Sequence, residues 1–261
     1  MADQGNQQIE NIIPWAVGRV ALVTGAAVRV GKAIAATLHR RGFKVAIHYN
    51  ASKSEAEAFS TELNSKREDT AIAIKADLST NIAETSRRLV GAVVDKFGKL
   101  DLLVNSSAIY FATPIAETTE KQWDDLMTLN TKAPYFLIQA AAPYLKKSRG
   151  SVVNVADILG ERPNPPFNVY CITKATMLMI TKSLALELAP EVRVNSVLPG
   201  ASIFPEDYDE NLKKNWIAKT PLGLAKKGHE IGDTVVFLAS PSASFMTGEG
   251  ISPSGGRRIA L

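Results

Sequence analysis

Short runs of β-branched and aliphatic residues alternate with long amphipathic stretches over almost the whole chain. Most of the short runs lack a polar face, which is typical of strands that are covered on both sides. Seven strands are predicted, at residues 20–24, 45–49, 71–75, 102–105, 151–155, 192–197 and 250–252. Six helices are predicted between them, at residues 30–41, 53–65, 84–97, 121–145, 168–188 and 231–239. This order predicts an α/β fold in which a doubly wound parallel sheet of about seven strands carries helices on both faces.

The length and composition fit one folded domain. The chain has 261 residues, of which 46% are hydrophobic and 21% are charged, and an α/β domain often runs to about 200–250 residues. We therefore expect a polar N-terminal extension at residues 1–18 and one domain at residues 19–261. The lone cysteine, Cys171, excludes an internal disulfide, and the three histidines lie too far apart in sequence to suggest a metal site.

The charge does not point to nucleic acid. The formal net charge is +4, from 30 basic and 26 acidic residues. Nucleic-acid binding needs basic residues clustered on one surface, whereas the lysine pairs at 146–147, 213–214 and 226–227 are typical of solvated helix ends. Residues 1–13 contain no apolar core of a secretion signal, and no apolar stretch approaches the roughly 20 residues of a membrane helix. We expect a cytoplasmic protein without a membrane anchor.

A turn with two glycines joins the first predicted strand to the first predicted helix, in the sequence Thr-Gly-Ala-Ala-Val-Arg-Val-Gly at residues 24–31. Gly25 permits a tight reversal of the chain, and Gly31 lets the helix pack closely. The helix N-terminus then offers free N–H groups and a partial positive charge to a pyrophosphate. Arg29 either reaches a phosphate or a planar anionic ligand with its guanidinium, or is a solvated arginine at a helix start.

The segments after the second and third strands indicate which dinucleotide this turn would bind. NAD-dependent enzymes usually place Asp or Glu at the end of the second strand to hold the ribose 2′-hydroxyl, but no acid occurs here before residue 55. Asn50, Ser52 and Lys53 could instead donate to a 2′-phosphate, which favours NADP. Asp77, followed by Leu78, either accepts a hydrogen bond from an adenine amine or closes a turn.

Tyr170 and Lys174 are spaced i and i+4 within a predicted helix, so they lie on one face, one turn apart. An ammonium there would lower the phenol pKa from about 10 toward neutrality, which suits proton transfer. Asn130 is an awkward polar amide inside a predicted long helix, and Asp157 follows the fifth strand. With the Pro-Gly pair at 199–200, these residues gather at the carboxyl ends of strands, where open α/β sheets bind ligands.

The sequence resembles the short-chain dehydrogenase/reductase family over essentially its whole length. The matching elements occur in family order and at family spacing: residues 24–31, Asp77, Asn105, Asn130, Tyr170, Lys174, Pro199 and Gly200. Within that family the chain is most similar to the pteridine reductases. Those enzymes carry an arginine in place of the middle glycine of the turn, as Arg29 does here. They also carry an aspartate in place of the catalytic serine, as Asp157 does, thirteen residues before Tyr170.

The resemblance implies a Rossmann fold that binds NADPH, with Asp157 and Tyr170 as a proton-relay pair. Lys174 would hold the nicotinamide ribose, and Asn130 would support Lys174 through a water. The implied cofactor-binding residues are Gly25, Arg29, Val30, Gly31, His48, Tyr49, Asn50, Ser52, Asp77, Leu78, Asn105, Ser107, Lys174, Pro199 and Gly200. The implied substrate-binding residues are Arg29, Tyr110, Asp157 and Tyr170. Tyr110 would stack a flat pterin against the nicotinamide, the alternative being an aromatic of the core.

The activity implied is NADPH-dependent reduction of pterins such as dihydrobiopterin, and of dihydrofolate as a further substrate. A carboxyl suits protonation of a ring nitrogen, whereas a serine hydroxyl suits the alkoxide that develops from a ketone. Two alternatives stay open: an NADPH-dependent carbonyl reductase, for example of 3-oxoacyl substrates, and a non-catalytic NADP-binding protein. A homotetramer is also implied. Ala51, Ser106 and Ser254 depart from the family pattern.

Overall fold

Seven parallel strands form one sheet. The computed structural model describes residues 12–200, 209–223 and 228–260. The strands are β1 (Val20–Val23), β2 (Lys44–Tyr49), β3 (Ala71–Lys75), β4 (Leu102–Asn105), β5 (Ser151–Val155), β6 (Arg193–Val197) and β7 (Gly250–Ile251), in the sheet order β3-β2-β1-β4-β5-β6-β7. The helices are α1 (Arg29–Arg41), α2 (Lys53–Lys66), α3 (Ile82–Phe97), α4 (Glu120–Met127), α5 (Ala133–Ser148), α6 (Asn168–Leu188), α7 (Glu210–Ala218) and α8 (His229–Ala239). The predicted doubly wound parallel sheet is confirmed.

The sheet is buried on both faces because its side chains alternate between two hydrophobic clusters. In β1, Ala21 and Val23 face the cluster that includes side chains of α1, α2 and α8. Val20 and Leu22 face the cluster that includes side chains of α3, α5 and α6. All four side chains are completely buried. A strand in this position has no solvent side, which explains why the predicted strands lack a polar face.

The described part of the N-terminal extension packs against the domain. Pro14–Ala16 forms one 3-10 turn, and the Trp15 ring lies edge-on against Phe43 with ring centroids 5.6 Å apart. The Ile13 N–H donates to Arg41 O at 3.0 Å. Residues 12–18 are therefore attached to the end of α1 and the start of β2. Residues 1–11 of the predicted extension lie outside the described residues.

The prediction of one continuous helix at residues 121–145 is wrong in the middle of that range. Its first part is α4 and its last part is α5, but Thr128–Lys132 between them is a π-helical turn. This turn contains Asn130, whose buried amide bonds to the backbone of Ile109. Such turns are frequent at functional sites. The pattern also gives no prediction for α7, since five of its nine residues are polar.

Helix α6 is long and apolar enough to cross a membrane by length and composition, contrary to the expectation that no such stretch exists. It has 21 residues, and half of its most apolar window is buried inside the protein. It packs against β6 and against the turn at Ile158–Gly160. Its buried side chains include Met177, Thr181 and Leu184. These contacts are those of a core helix in a folded domain.

His39 is a buried histidine near the C-terminal end of α1 that the fold holds neutral. Its Nε2–H donates to Thr70 Oγ1 at 2.8 Å, because the Thr70 hydroxyl itself donates to Arg67 O at 2.5 Å. Burial lowers the pKa of His39 to about 4, and the charges of Arg67 and Lys66 act in the same direction. Below the ordinary pKa of 6.5, the unfolded chain therefore binds a proton that the folded protein does not bind.

We expect His39 to make the protein less stable as the pH falls from about 6.5 to about 4. His39→Gln keeps a donor for Thr70 and cannot titrate. Relative to this variant, the wild type should lose about 3 kcal/mol of unfolding free energy between about pH 7 and pH 4. Urea unfolding of both proteins, followed by circular dichroism, measures the difference at each pH. A difference that stays constant with pH would contradict the neutral state of His39.

Candidate active site

The predicted site residues lie at the edge of the sheet where the strands have their carboxyl ends. Gly25 follows β1, Ser107 follows β4 and Asp157 follows β5. A Cβ atom built on Gly25 would lie 3.0 Å from Ser107 Oγ, so the segments after β1 and β4 touch. Tyr170 and Lys174 face this edge from the start of α6, where Tyr170 meets Asp157.

Asp157 and Tyr170 form a hydrogen-bonded pair. Tyr170 Oη donates to Asp157 Oδ2 at 3.1 Å, and Asp157 Oδ1 accepts from the Leu159 N–H at 2.9 Å. Burial raises the pKa of Asp157, although the Leu159 N–H and the charge of Lys174 oppose this shift. A carboxyl with a raised pKa beside a phenol can exchange a proton with it.

Lys174 is buried one helical turn after Tyr170, but it does not act on the phenol as the spacing predicts. Its Nζ donates to Val155 O at 2.9 Å and lies 5.5 Å from the centre of the Tyr170 ring. Burial lowers the pKa of Lys174 to about 8. Burial and the Asp157 carboxylate raise the pKa of Tyr170 well above 10. The prediction that Lys174 brings the phenol pKa toward neutrality is therefore wrong, and Tyr170 is a protonated phenol that can donate.

Asn130 connects the loop after β4 to α6. Its Oδ1 accepts from the Ile109 N–H at 2.9 Å, and its Nδ2 donates to Ile109 O at 3.0 Å and to Thr173 Oγ1 at 3.2 Å. The amide thus links Ile109, which precedes Tyr110, to Thr173, which precedes Lys174. The implied link from Asn130 to Lys174 through a water stays a prediction. Thr173 lies between the two residues of the Tyr-Lys motif and was not among the predicted site residues.

Tyr110 forms an aromatic wall beside Tyr170. Its side chain is 52% exposed, so it is not an aromatic of the core. Its ring stacks on Phe167 with centroids 4.4 Å apart and planes inclined by 14°, and it meets the Tyr170 ring edge-on at 4.7 Å. Phe167 was not among the predicted site residues, and its one signal in the sequence is its place directly before α6. A half-exposed ring supported in this way can stack on a flat ligand.

The turn between β1 and α1 has close backbone contacts that require its glycines. Gly25 has a φ of +60°, and a Cβ on Gly31 would lie 2.2 Å from Gly25 O. Thr24, which was not among the predicted site residues, fixes the adjoining segment. Its Oγ1 accepts from the N–H groups of Ser106 and Ser107 at 2.9 and 3.0 Å. The turn therefore leads close to the sheet into a helix N-terminus, which fits the pyrophosphate of a dinucleotide.

Arg29 begins α1 with a φ of +51°, in the left-handed region. That conformation costs a non-glycine residue about 1 kcal/mol or more, so the backbone here keeps the shape for which the related enzymes use glycine. The Arg29 side chain is exposed, whereas Val30 is partly buried against the core. A strained backbone that carries an exposed cation beside a ligand cradle is typical of a functional position.

The segment after β2 presents an amide, a hydroxyl and a cation. Asn50 and Lys53 are exposed, and Ser52 is partly exposed directly before α2. Lys53 Nζ lies 3.7 Å from Glu57 Oε1, in a loose surface pair that holds it weakly. These donors fit a phosphate group and leave the position without the acidic side chain that an NAD ribose would need.

Tyr49 and His48 do not offer their side chains to a cofactor, which corrects their implied roles. Tyr49 is buried with Val45 and Ile47 in the cluster that includes α1, as the period of two along β2 requires. His48 is 2% exposed, and both of its ring nitrogens bond to backbone groups of the protein. Neither nitrogen is left for a direct hydrogen bond to a cofactor.

Three further predicted residues are used within the protein. Asp77 Oδ1 accepts from the Ser79 hydroxyl at 2.6 Å and from the Ser79 N–H at 2.9 Å, and these bonds lower the pKa of Asp77. The turn-closing alternative for Asp77 is thus observed, and its adenine contact stays a prediction. Leu78 is buried. Asn105 Nδ2 donates to Asn154 Oδ1 at 2.9 Å, while the buried Asn105 Oδ1 has no partner among the described residues.

Pro199 and Gly200 follow β6 and adjoin the C-terminal segment. A Cβ on Gly200 would lie 3.4 Å from the Cβ of Ser254. Ser254 departs from the family pattern, but its buried hydroxyl accepts from the Arg258 N–H at 3.2 Å and so closes a turn. Arg258 in turn donates to both carboxylate oxygens of Glu161 at 2.5 and 2.7 Å. The loop after Asp157 is therefore fastened to the C-terminal segment by a bidentate ion pair.

The donor set suits an organic cofactor and acid–base chemistry. In the part of the chain that the structure describes, no group of three or more His, Cys, Asp or Glu side chains could hold a metal ion. Candidate partners for phosphate and hydroxyl groups follow β1, β2 and β5 at this edge: the turn at Gly25 and Gly31, the donors at Asn50, Ser52 and Lys53, and the buried Lys174, which bonds to Val155 O. This arrangement can hold a phosphorylated dinucleotide beside the Asp157–Tyr170 pair.

Comparison with known proteins finds reductases over almost the full length. A family model described as enoyl-(acyl carrier protein) reductase matches residues 25–257. Pteridine reductase 1 of Leishmania tarentolae is 34% identical, over 91% of this chain and 95% of that protein. The 3-oxoacyl-(acyl-carrier-protein) reductase FabG of Staphylococcus aureus is 36% identical, over 90% of this chain and 96% of that protein. An uncharacterized oxidoreductase of Methylorubrum extorquens is 37% identical, over 92% and 98%. Overall identity does not separate the two substrate classes.

Replacing Arg29 should separate backbone strain from ligand binding. Arg29→Gly removes the side chain and relieves the left-handed backbone, whereas Arg29→Ala removes the side chain only. We expect the glycine variant to be about 1 kcal/mol more stable than the alanine variant in urea unfolding. We expect both variants to bind NADPH about tenfold more weakly than the wild type in a fluorescence titration, because both lose a guanidinium. Equal stability of the two variants would exclude strain, and unchanged affinity would identify Arg29 as a solvated surface residue.

Proposed function

The chain belongs to the short-chain dehydrogenase/reductase family of nicotinamide-dependent oxidoreductases, and within that family we propose that it is an NADPH-dependent reductase of pterins. The observation that carries this proposal is the hydrogen bond of 3.1 Å between Tyr170 Oη and the buried carboxyl of Asp157. The resemblance to pteridine reductases, which carry an aspartate at this place where the family usually has a serine, supports the same conclusion.

Reduction of a C=N bond in a pterin ring adds a hydride to the carbon and a proton to the nitrogen. NADPH, when bound, supplies the hydride. Tyr170 supplies the proton, since its raised pKa keeps the phenol protonated. Burial raises the pKa of Asp157 and so favours its protonated form, which gives its proton to the Tyr170 oxygen across the hydrogen bond that joins them; the carboxylate left behind then takes a proton from solvent. Lys174 is fixed through its bond to Val155 O, and its remaining N–H groups can donate to a ribose hydroxyl.

The shape of the site supports a flat, polar ring as substrate. Tyr110 stacks on Phe167 and stands edge-on to Tyr170, so that a half-exposed aromatic face borders the proton donor. Arg29 is exposed at the start of α1, beside the dinucleotide turn. An aromatic face and a planar cation together suit a pteridine, which offers a π-surface and a polar edge.

NADPH is the proposed form of the cofactor because of the segment after β2. Asn50, Ser52 and Lys53 provide donors there. Between the end of β2 and Glu55 there is no acidic side chain that would bind a free 2′-hydroxyl and repel a 2′-phosphate.

A carbonyl reductase of 3-oxoacyl substrates is the second candidate. It is favoured by the identity of 36% to the FabG protein, which is as high as the identity to the pteridine reductase. Asp157 argues against this candidate. Reduction of a ketone produces an alkoxide that needs a hydrogen-bond donor, and the family usually supplies a serine hydroxyl at the position of Asp157. Three buried residues argue against a non-catalytic role. Tyr170 and Lys174 lie in α6, and Asn130 bonds to Thr173 of the same helix.

A homotetramer is the proposed assembly. Helix α6 exposes Ile172, Met179 and Leu186, which recur every seven residues and therefore share one side of the helix. Phe245 and Ile259 are almost fully exposed in the C-terminal part of the chain. Exposed apolar side chains on α6 and in the C-terminal part of the chain fit an assembly in which copies of the chain meet through these surfaces.

The proposed activity predicts that pterins are the preferred substrates. We expect NADPH oxidation by the purified protein to be at least about tenfold more efficient, as kcat/KM, with dihydrobiopterin or dihydrofolate than with an acetoacetyl thioester. The three substrates are compared at one pH, with NADH in parallel. Turnover of the thioester alone would establish the carbonyl reductase, and turnover of none would favour the non-catalytic alternative.

Tyr170→Phe is the control for this assay, because it removes one hydroxyl and keeps the aromatic packing. We expect kcat to fall by about 10²–10⁴-fold while NADPH affinity stays within about twofold of the wild type. Turnover that survives this change would show that another group donates the proton.

The proposed assembly predicts that charge on α6 divides the tetramer. Met179→Glu and Leu186→Glu, combined in one chain, place carboxylates on the exposed apolar side of the helix. Light scattering after size exclusion should give four copies for the wild type and two copies for the double variant. An unchanged mass would exclude this side of α6 as a subunit contact.

A further inference from the structure

His48 lies between the turn after β1 and the segment after β3. Its Nδ1 accepts from the Gly25 N–H at 3.1 Å, and its Nε2–H donates to Ala76 O at 3.0 Å. Its backbone oxygen also accepts from the Ala26 N–H at 2.9 Å. One residue therefore binds two consecutive N–H groups of the dinucleotide turn and the carbonyl directly before Asp77.

These contacts require one state of the imidazole. Nδ1 accepts a hydrogen bond only when it carries no proton, and Nε2 must carry a proton to meet a carbonyl oxygen. The His48 side chain is 2% exposed, and burial lowers its pKa. The environment thus favours the neutral ring that both bonds need.

The turn depends on such contacts because its glycines leave it few side chains of its own. Gly25 has a φ of +60°, and Gly31 packs directly against Gly25 O. Any rotation of the Gly25 peptide group therefore moves the start of α1. By taking the N–H groups of Gly25 and Ala26, His48 directs them toward β2, while the first N–H groups of α1 have no partner within the helix.

We propose that His48 is a positioning residue for the nicotinamide dinucleotide. Its ring holds the turn after β1, which fits the pyrophosphate, at a fixed spacing from the segment after β3, which carries Asp77. Cofactor affinity depends on this spacing, whereas His48 touches no reacting atom and moves no proton. The inference rests on the family to which the chain belongs and holds for either substrate class.

The test uses three replacements of His48 in the full chain. His48→Asn keeps an acceptor near the position of Nδ1, His48→Gln keeps a donor near the position of Nε2, and His48→Phe keeps a ring without polar atoms. His39→Gln is the matched control, since His39 is also 2% exposed but lies near the other end of α1. For each protein, fluorescence titration gives the Kd for NADPH, steady-state kinetics give KM and kcat, and thermal unfolding gives stability.

We expect His48→Phe to raise the Kd and KM for NADPH about tenfold or more, because the Gly25 N–H and Ala76 O lose their partner. At saturating NADPH, kcat should stay within about threefold of the wild type. His48→Asn should recover most of the affinity, and His48→Gln less, since only the former bonds to the turn itself. His39→Gln should leave the Kd unchanged.

Three results would overturn the proposal. A His48→Phe protein that loses stability but keeps the wild-type Kd would give His48 a purely structural role, as would an equal effect of His39→Gln on the Kd. If His48→Phe does not fold, the comparison of His48→Asn with His48→Gln decides, and equal affinities overturn the proposal. A wild type that binds only NADH refutes the proposed cofactor, and the same titrations with NADH then test His48 separately.

Discussion

The side chains of the candidate site depend for their placement on the parallel direction of the seven strands that the structure describes. In a parallel sheet, each strand ends at the same edge, so the segments that follow β1, β4, β5 and β6 meet there although they are far apart in sequence. Burial of both sheet faces fixes these segments against one another. Thr24 illustrates the result, because its hydroxyl accepts from the N–H groups of Ser106 and Ser107, more than 80 residues further along the chain.

At that edge, burial rather than charge pairing decides how the titratable groups behave. Asp157, Tyr170 and Lys174 are all removed from water, and desolvation is the largest cause of each pKa shift. Backbone groups partly compensate, through the Leu159 N–H on Asp157 and Val155 O on Lys174. The outcome is a protonated phenol beside a carboxyl whose own affinity for a proton is raised. Such a pair is suited to donating a proton, which is what a reductase needs when a hydride arrives from its cofactor.

The sequence predicts the features that depend on local spacing and fails where a distant contact decides. Aliphatic runs predict all seven strands to within one residue, and i, i+4 spacing places Tyr170 and Lys174 on one face. The period of two along β2 also predicts that Tyr49 is buried with Val45 and Ile47, although the resemblance assigned Tyr49 to the cofactor site. By contrast, the π-turn contains Asn130, whose side chain bonds to Ile109, 21 residues away, and local spacing does not show this contact. The phenol pKa is mispredicted because spacing reveals that Lys174 is near but not that its ammonium bonds to Val155 O.

In the proposed reaction, the carboxyl of Asp157 adapts a short-chain reductase to protonate a ring nitrogen. The most direct measurement is the ratio of kcat/KM for dihydrobiopterin to that for an acetoacetyl thioester, in the wild type and in Asp157→Ser. We expect the serine variant to keep its affinity for NADPH while this ratio falls by about 100-fold or more, because the relay to Tyr170 is lost. A ratio that stays the same in the serine variant would contradict this expectation.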